Sequence, residues 1–146
     1  GLDGHRHHPE ISQELDALAA SNVELTFVPH LIPMTRGILA TSYSRLTSDF
    51  VASNDHLHTA VRDIYQEYYK DEAFTKVVDS PPATKQTLGN NDCLVFPTVN
   101  KENGMLTVIS CIDNLVKGAA GQAIQNMNLM SGFSESSGLE QLAVYP

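Results

Sequence analysis

The 146-residue sequence predicts an α+β fold, a mostly antiparallel sheet with helices on one face. Three observations carry this. Segments 93–99 and 105–112 read as strands, and the residues between them, Asn100-Lys101-Glu102-Asn103-Gly104, read as a Gly-containing hairpin turn. Helical periodicity recurs at 9–20, 54–72 and 115–130. The order is helix, two strands, helix, strand, two strands, helix, and the longest strands have short connections, which makes them antiparallel neighbours.

Each element has its own warrant. In 9–20, Pro9 suits the first helical position, Glu10 favours the positive end, and Ile11, Leu15, Leu18 and Ala19 recur at helical spacing. Segment 23–28 alternates, with Val23, Leu25 and Phe27 opposite Glu24, Thr26 and Val28, and is predicted as a strand. Pro29 and Pro33 make 29–35 an irregular connection, and 37–46, rich in Ile, Leu, Thr and Tyr, is a second strand. In 54–72, Leu57, Val61, Ile64, Tyr65 and Tyr68 form one apolar stripe. A short strand is expected at 76–79, then a loop over 80–92 carrying Pro81-Pro82 and Gly89-Asn90-Asn91. Asp113 stands where an N-cap belongs, ahead of a helix over 115–130. Gly118 and Gly121 each cost that helix about 1 kcal/mol relative to Ala, but with Ala119, Ala120 and Ala123 they make a small-residue surface. The tail, 131–146, is Ser- and Gly-rich, with Phe133, Leu139, Leu142, Val144 and Tyr145 as apolar anchors.

Nine basic and 17 acidic side chains give a net charge of −8, and 42% of residues are apolar. This composition excludes a disordered or collagen-like chain and suits one domain with a real core. Nucleic acid is not an expected partner, because the basic residues are scattered. A small anionic ligand is still compatible with a local cationic cluster. No apolar run reaches the roughly 18 residues that span a bilayer, so no membrane partner is expected. The first residues, Gly1-Leu2-Asp3-Gly4 and then His5-Arg6-His7-His8, do not read as a secretory signal. They lack an initiator Met, which points to a fragment, a trimmed form or a processed product. Cys93 and Cys111 lie in strand-like runs and read as buried, reduced thiols.

Three segments carry candidate chemistry. In His5-Arg6-His7-His8-Pro9-Glu10, imidazoles precede a helix N-terminus, where general acid–base work on an anionic substrate is favoured. From spacing alone, a solvated imidazole-rich terminus is the stronger reading, and the spacing does not suit a metal site. In Pro29-His30-Leu31-Ile32-Pro33-Met34-Thr35-Arg36-Gly37, one guanidinium is suited to a carboxylate or phosphate, or is simply a surface arginine beside a structural His30; composition leaves these even. In 113–123, Asn114 offers an amide at a helix start, suited to another carboxamide, while the glycine spacing is not that of a phosphate loop.

Taken together, His5-Arg6-His7-x-Pro9-Glu10-Ile11, then 29–38, then Ile112-Asp113-Asn114-Leu115-Val116-Lys117-Gly118-Ala119-Ala120-Gly121-Gln122-Ala123, resemble the C-terminal portion of the N-acetyl-γ-glutamyl-phosphate reductase family. Asn126-Met127-Asn128-Leu129-Met130 extends the match, and 83–85 and 89–93 are weaker ones; Leu94 departs from the family pattern. The resemblance covers essentially the whole chain. It implies the C-terminal fold of glyceraldehyde-3-phosphate-dehydrogenase-like enzymes. Residues 1–112 would form a substrate-binding and dimerisation domain, incomplete at its N-terminus, and 113–146 a helix and tail that pack on an NADP-binding domain outside this sequence.

It also implies an activity: NADPH-dependent reduction of N-acetyl-γ-glutamyl phosphate to the semialdehyde through a cysteine thioester, in arginine biosynthesis. His7 would be the catalytic proton shuttle, His5 and Arg36 would contact substrate, and Asn114 and Leu115 would contact the nicotinamide. The nucleophilic cysteine is not among these residues, so the isolated chain is expected to be inactive. A homodimer or homotetramer is expected, in the cytoplasm or, for a eukaryotic parent, in an organelle. Two other readings are a non-catalytic oligomerisation module, and a relative acting on a homologous acyl phosphate of lysine biosynthesis.

Overall fold

A computed structural model of the chain describes residues 4–100 and 102–144. The chain divides between Met34 and Thr35 into two compact units.

In the first unit, helix α1 spans His7–Ala19, beginning two residues before Pro9, with Glu10 in its first turn. It ends where Ala20 turns left-handed at φ 51° and donates its N–H to the Asp16 carbonyl. Ile11 and Leu15 are half-buried, whereas Leu18 is exposed, so the predicted apolar stripe is narrower than its spacing suggests. Segment 23–28 has no regular secondary structure and is not the predicted strand. Its alternation is real: Val23, Leu25 and Phe27 are less exposed than Glu24, Thr26 and Val28. What is missing, among the described residues, is a ladder partner. The segment is tied to the helix side by side chains instead. The Val23 N–H donates to Asp16 Oδ1 at 2.6 Å, and His8 Nε2 donates to the Leu25 carbonyl at 3.1 Å.

The second unit is built on a four-stranded sheet, β1 (Ile38–Arg45), β2 (Thr75–Val77), β3 (Cys93–Val99) and β4 (Met105–Ile112), in the order β1-β4-β3-β2. The β3–β4 pair is the expected antiparallel hairpin; β1, expected to pair with segment 23–28, instead pairs antiparallel with β4, and β2 runs parallel to β3, so the sheet is mixed. β2 is only three residues long. Its direction follows from the connection at 78–92, which carries the chain back before β3 begins. The β3–β4 hairpin closes through Asn100 and Gly104, whose N–H donates to the Asn100 carbonyl at 2.9 Å with φ +67° at Gly104.

Two helices precede β2. α2 (Ser48–Ala52) is short and was not predicted; the Thr47 hydroxyl accepts from the Phe50 N–H at 3.3 Å. α3 (Leu57–Tyr68) packs on β3 through Val61, its one buried residue, with Leu57 and Tyr65 half-buried. The buried line therefore follows i, i+4, and Ile64 and Tyr68 of the predicted stripe face outward. Between α3 and the sheet lies a cleft of about 350 Å³ lined by Tyr65, Tyr69, Ser42, Ser110, Cys93 and Val95 among others. On the opposite face a 3₁₀ turn, Thr84–Thr87, sits against β4 and buries Cys111 to 1% exposure. The core is small: Val61, Phe74, Leu94, Val95, Val99, Cys111 and Leu139. Of the predicted tail anchors, Leu139 is buried, Phe133, Leu142 and Val144 are exposed, and Tyr145 lies outside the described residues.

The last helix is not a continuous α-helix. Val116–Ala120 is a π turn, followed by α4 (Gly121–Met130). The Gly118 N–H reaches the Asp113 carbonyl at 2.9 Å and the Ala120 N–H the Leu115 carbonyl at 3.1 Å, both spanning five residues.

Candidate functional site

His5 and His7 lie together at the start of α1. The His7 N–H donates to His5 Nδ1 at 3.2 Å, and the two rings meet edge-on with centroids 4.7 Å apart. His5 also packs edge-on against Phe27, at 5.5 Å. The Phe27 contact and the Nδ1 acceptor fix the His5 ring, and His7 is left exposed beside it. An exposed imidazole on a fixed neighbour can give and take a proton.

Arg36, Asn114 and Leu115 are brought together in the second unit through Asp113, which the sequence predicts only as a helix cap. Asp113 is 1% exposed and accepts from four donors. Its Oδ1 takes the N–H groups of Leu115 at 2.8 Å and Val116 at 3.1 Å, which is the expected capping. Its Oδ2 takes the Gly89 N–H at 2.7 Å and the Arg36 guanidinium at 2.6 Å. Burial pushes this carboxyl's pKa up, but the Gly89, Leu115 and Val116 amides and Arg36 outweigh it and hold the pKa below its ordinary 3.8. Arg36 is thus committed on one side to Asp113 while its side chain keeps 31% of its surface exposed. Gly37, next in line, turns the chain into β1 at φ +121°, and a Cβ there would lie 2.9 Å from Thr84 Cβ.

Asn114 and Leu115 are both exposed, Leu115 by 53%. Room for the Asn114 carboxamide comes from Gly118, where a Cβ would stand 3.3 Å from Asn114 Oδ1. This pair, an amide beside an apolar side chain at an open surface, fits a planar ring bearing a carboxamide. Gly118, Ala119, Ala120 and Ala123 are exposed, as the small-residue surface requires, but Gly121 is buried and faces inward.

Inward of the π turn lies a polar network that sequence reasoning missed. Asn91 and Lys117 both donate to Gln125 Oε1, at 3.0 and 2.7 Å, and Gln125 donates to Glu135. Asn128 donates to the carbonyls of Glu135 and Ser137. These bonds fasten α4 to the 89–92 loop and to the tail. Lys117 is also stacked over Phe74, 5.4 Å from the ring centre, and burial first of all lowers its pKa. The only hint in the sequence was a run of amides at 90–91 and 122–128, residues that are poor core formers unless paired.

Gly121 is the close contact this network requires. A Cβ there would stand 2.3 Å from Asn91 Oδ1 and 2.8 Å from the Val116 carbonyl. Gly→Ala inside a helix ordinarily stabilises by about 1 kcal/mol. Here overpacking reverses the sign, and Gly121→Ala is expected to destabilise α4 by about 1–3 kcal/mol. Faster hydrogen exchange of the 121–130 amides is the check, and slower exchange would contradict it.

Neither cysteine is set up as a nucleophile. Burial raises both thiol pKa values, and Cys111 is further engaged, receiving the Thr87 hydroxyl and donating to the Ala83 carbonyl. Among the described residues no three His, Cys, Asp or Glu side chains converge on one point, and no helix is long and apolar enough to cross a membrane.

Residues 1–114 match the family described as semialdehyde dehydrogenase, dimerisation domain. The chain belongs to the semialdehyde dehydrogenase family. Three of its relatives carry one name. The chain is 51% identical over 143 residues to the N-acetyl-gamma-glutamyl-phosphate reductase of Dehalococcoides mccartyi, with 97% of the chain covered. It is 48% identical to that of Geobacter metallireducens over its whole length, and 46% identical to that of Desulfotalea psychrophila over 97% of it. The chain spans about two fifths of the length of these relatives, 40–41%.

Proposed function

We propose that this chain is the C-terminal portion of an NADP-dependent N-acetyl-γ-glutamyl-phosphate reductase, acting in the cytoplasm as a homo-oligomer. The observation that carries the reading is near 50% identity along the whole chain to enzymes of that name, with all three candidate segments inside the match. The geometry supports it: a histidine pair at a helix start, and an exposed Asn114–Leu115 pair at a second helical start.

In this reading the thiol that attacks the acyl phosphate belongs to the part of the relatives that the chain does not span. NADPH, when bound, supplies the hydride. His7 gives a proton to the oxygen of the carbon being reduced and takes it back as the aldehyde leaves, which is why an exposed imidazole is needed there. His5 holds His7 in place and lines the same site. Arg36, with the part of its side chain that Asp113 does not use, faces the substrate carboxylate or phosphate. Asn114 pairs with the nicotinamide carboxamide and Leu115 lies along the ring. Residues 113–146 pack on the cofactor domain; Ile124, Met127 and Met130 form an exposed apolar face on α4 that suits such a partner. The match to a dimerisation domain supports pairing of 1–112 between copies.

The test uses the longer polypeptide from which the chain comes. Oxidation of N-acetyl-glutamate 5-semialdehyde should form NADPH only when inorganic phosphate is added. The homologous semialdehyde one carbon longer should turn over more slowly. No phosphate-dependent turnover of either would overturn the reading, and faster turnover of the longer substrate would move it to the lysine branch. The 146-residue chain alone should show none.

A further inference from the structure

Asp113 does more than cap a helix. Its side chain accepts from Leu115 and Val116, and its own carbonyl accepts from Gly118. Asn114 therefore sits between two residues whose backbones are fixed by the same acid. The other carboxylate oxygen is held from outside the helix, by the Gly89 amide in the loop and by Arg36 at the head of β1. Three separated parts of the chain, at 36, 89 and 115–118, are thus referred to one buried carboxylate. Gly118 leaves room for the Asn114 side chain, since a Cβ at 118 would stand 3.3 Å from Asn114 Oδ1.

We infer that Asp113 is a positioning residue for the nicotinamide contact: it sets where Asn114 and Leu115 stand and couples that position to Arg36. The inference rests on the nicotinamide role proposed above for Asn114. A neutral side chain of the same shape cannot replace it. A carboxylate has two accepting oxygens and serves two pairs of donors; an amide has one, and must abandon either Leu115 and Val116 or Gly89 and Arg36.

The experiment measures, on the longer polypeptide, binding of NADPH by its fluorescence and of adenosine 2′,5′-bisphosphate by calorimetry. The second ligand shares the adenosine end and lacks the nicotinamide. Asp113→Asn is expected to weaken NADPH about tenfold, the value of one well-made hydrogen bond, and to leave the bisphosphate unchanged. A merely structural role would weaken both ligands alike, and that result, or unchanged NADPH binding, overturns the inference. Asn114→Ala is run beside it. If Asn114→Ala leaves NADPH binding unchanged, the nicotinamide role fails and takes the inference with it. If Asn114→Ala weakens NADPH and Asp113→Asn does not, the inference alone fails. Should Asp113→Asn not fold, Arg36→Gln keeps the three amide contacts and carries the same comparison, with about a threefold weakening of NADPH alone; equal loss of both ligands, or none, again overturns it.

Discussion

Replacing Asp113 by Ala should cost the second unit about 3 kcal/mol, the lower end of what breaking a buried ion pair costs. The lower end applies because Arg36 keeps 31% of its side chain exposed, so its orphaned charge regains part of its hydration. The remaining loss comes from the Gly89, Leu115 and Val116 amides, whose acceptor disappears into a site that water does not reach freely. Hydrogen exchange reads this locally. In the longer polypeptide those amides should exchange about a hundredfold faster in Asp113→Ala, 3 kcal/mol being roughly two powers of ten in an opening equilibrium. Exchange within threefold of the unsubstituted protein would mean that the carboxylate is ornamental.

The same interaction carries a pH signature. The folded-state pKa of Asp113 is depressed below 3.8 by its donors. A depressed carboxylate contributes stability that is fully present above its unfolded pKa and is lost as pH falls through the folded one. The difference between the unsubstituted protein and Asp113→Ala should therefore hold steady from neutral pH down to the ordinary carboxylate range, then shrink as pH falls through the depressed folded-state value. A difference that grows on acidification would have the wrong sign.

Asp113 also shows where the sequence stops being informative. Its cap role was legible, because capping joins residues two or three apart and leaves a local signature. Its bonds to Arg36 and Gly89 join positions 77 and 24 residues away, and no local pattern announces them. The β3–β4 hairpin was readable for the same local reason, and its register follows from a short turn. Segment 23–28 has the alternation of a strand, yet a strand is defined by a neighbour, which one segment's pattern does not supply. The π turn was hidden for another reason. Five-residue hydrogen bonds and four-residue ones ask for the same apolar spacing over a single turn, and the contact of Gly121 with Asn91 joins positions far apart in the chain. Residue types at the candidate site were legible through motif resemblance. The buried amides that brace it were not, because Asn91, Gln125 and Asn128 look like surface residues until their partners are found.

His7→Ala should have the largest effect on turnover. If His7 moves the proton at the carbon being reduced, its loss should lower kcat by about 10²–10⁴, the usual contribution of a positioned general acid–base. Stability should hardly change, because His7 is exposed and meets His5 only at a ring edge and through its backbone N–H, which Ala keeps. KM for the acyl phosphate should move less than kcat, since the proton is needed in the transition state more than in the bound substrate. A His5→Ala variant separates position from chemistry. Losing His5 frees the His7 N–H and removes the packing on Phe27, so kcat should fall by less than for His7→Ala, and the pH dependence of kcat should keep its shape. If activity survives His7→Ala within a few fold, the histidine pair is a structural feature of α1 and the chain's task in the enzyme is assembly.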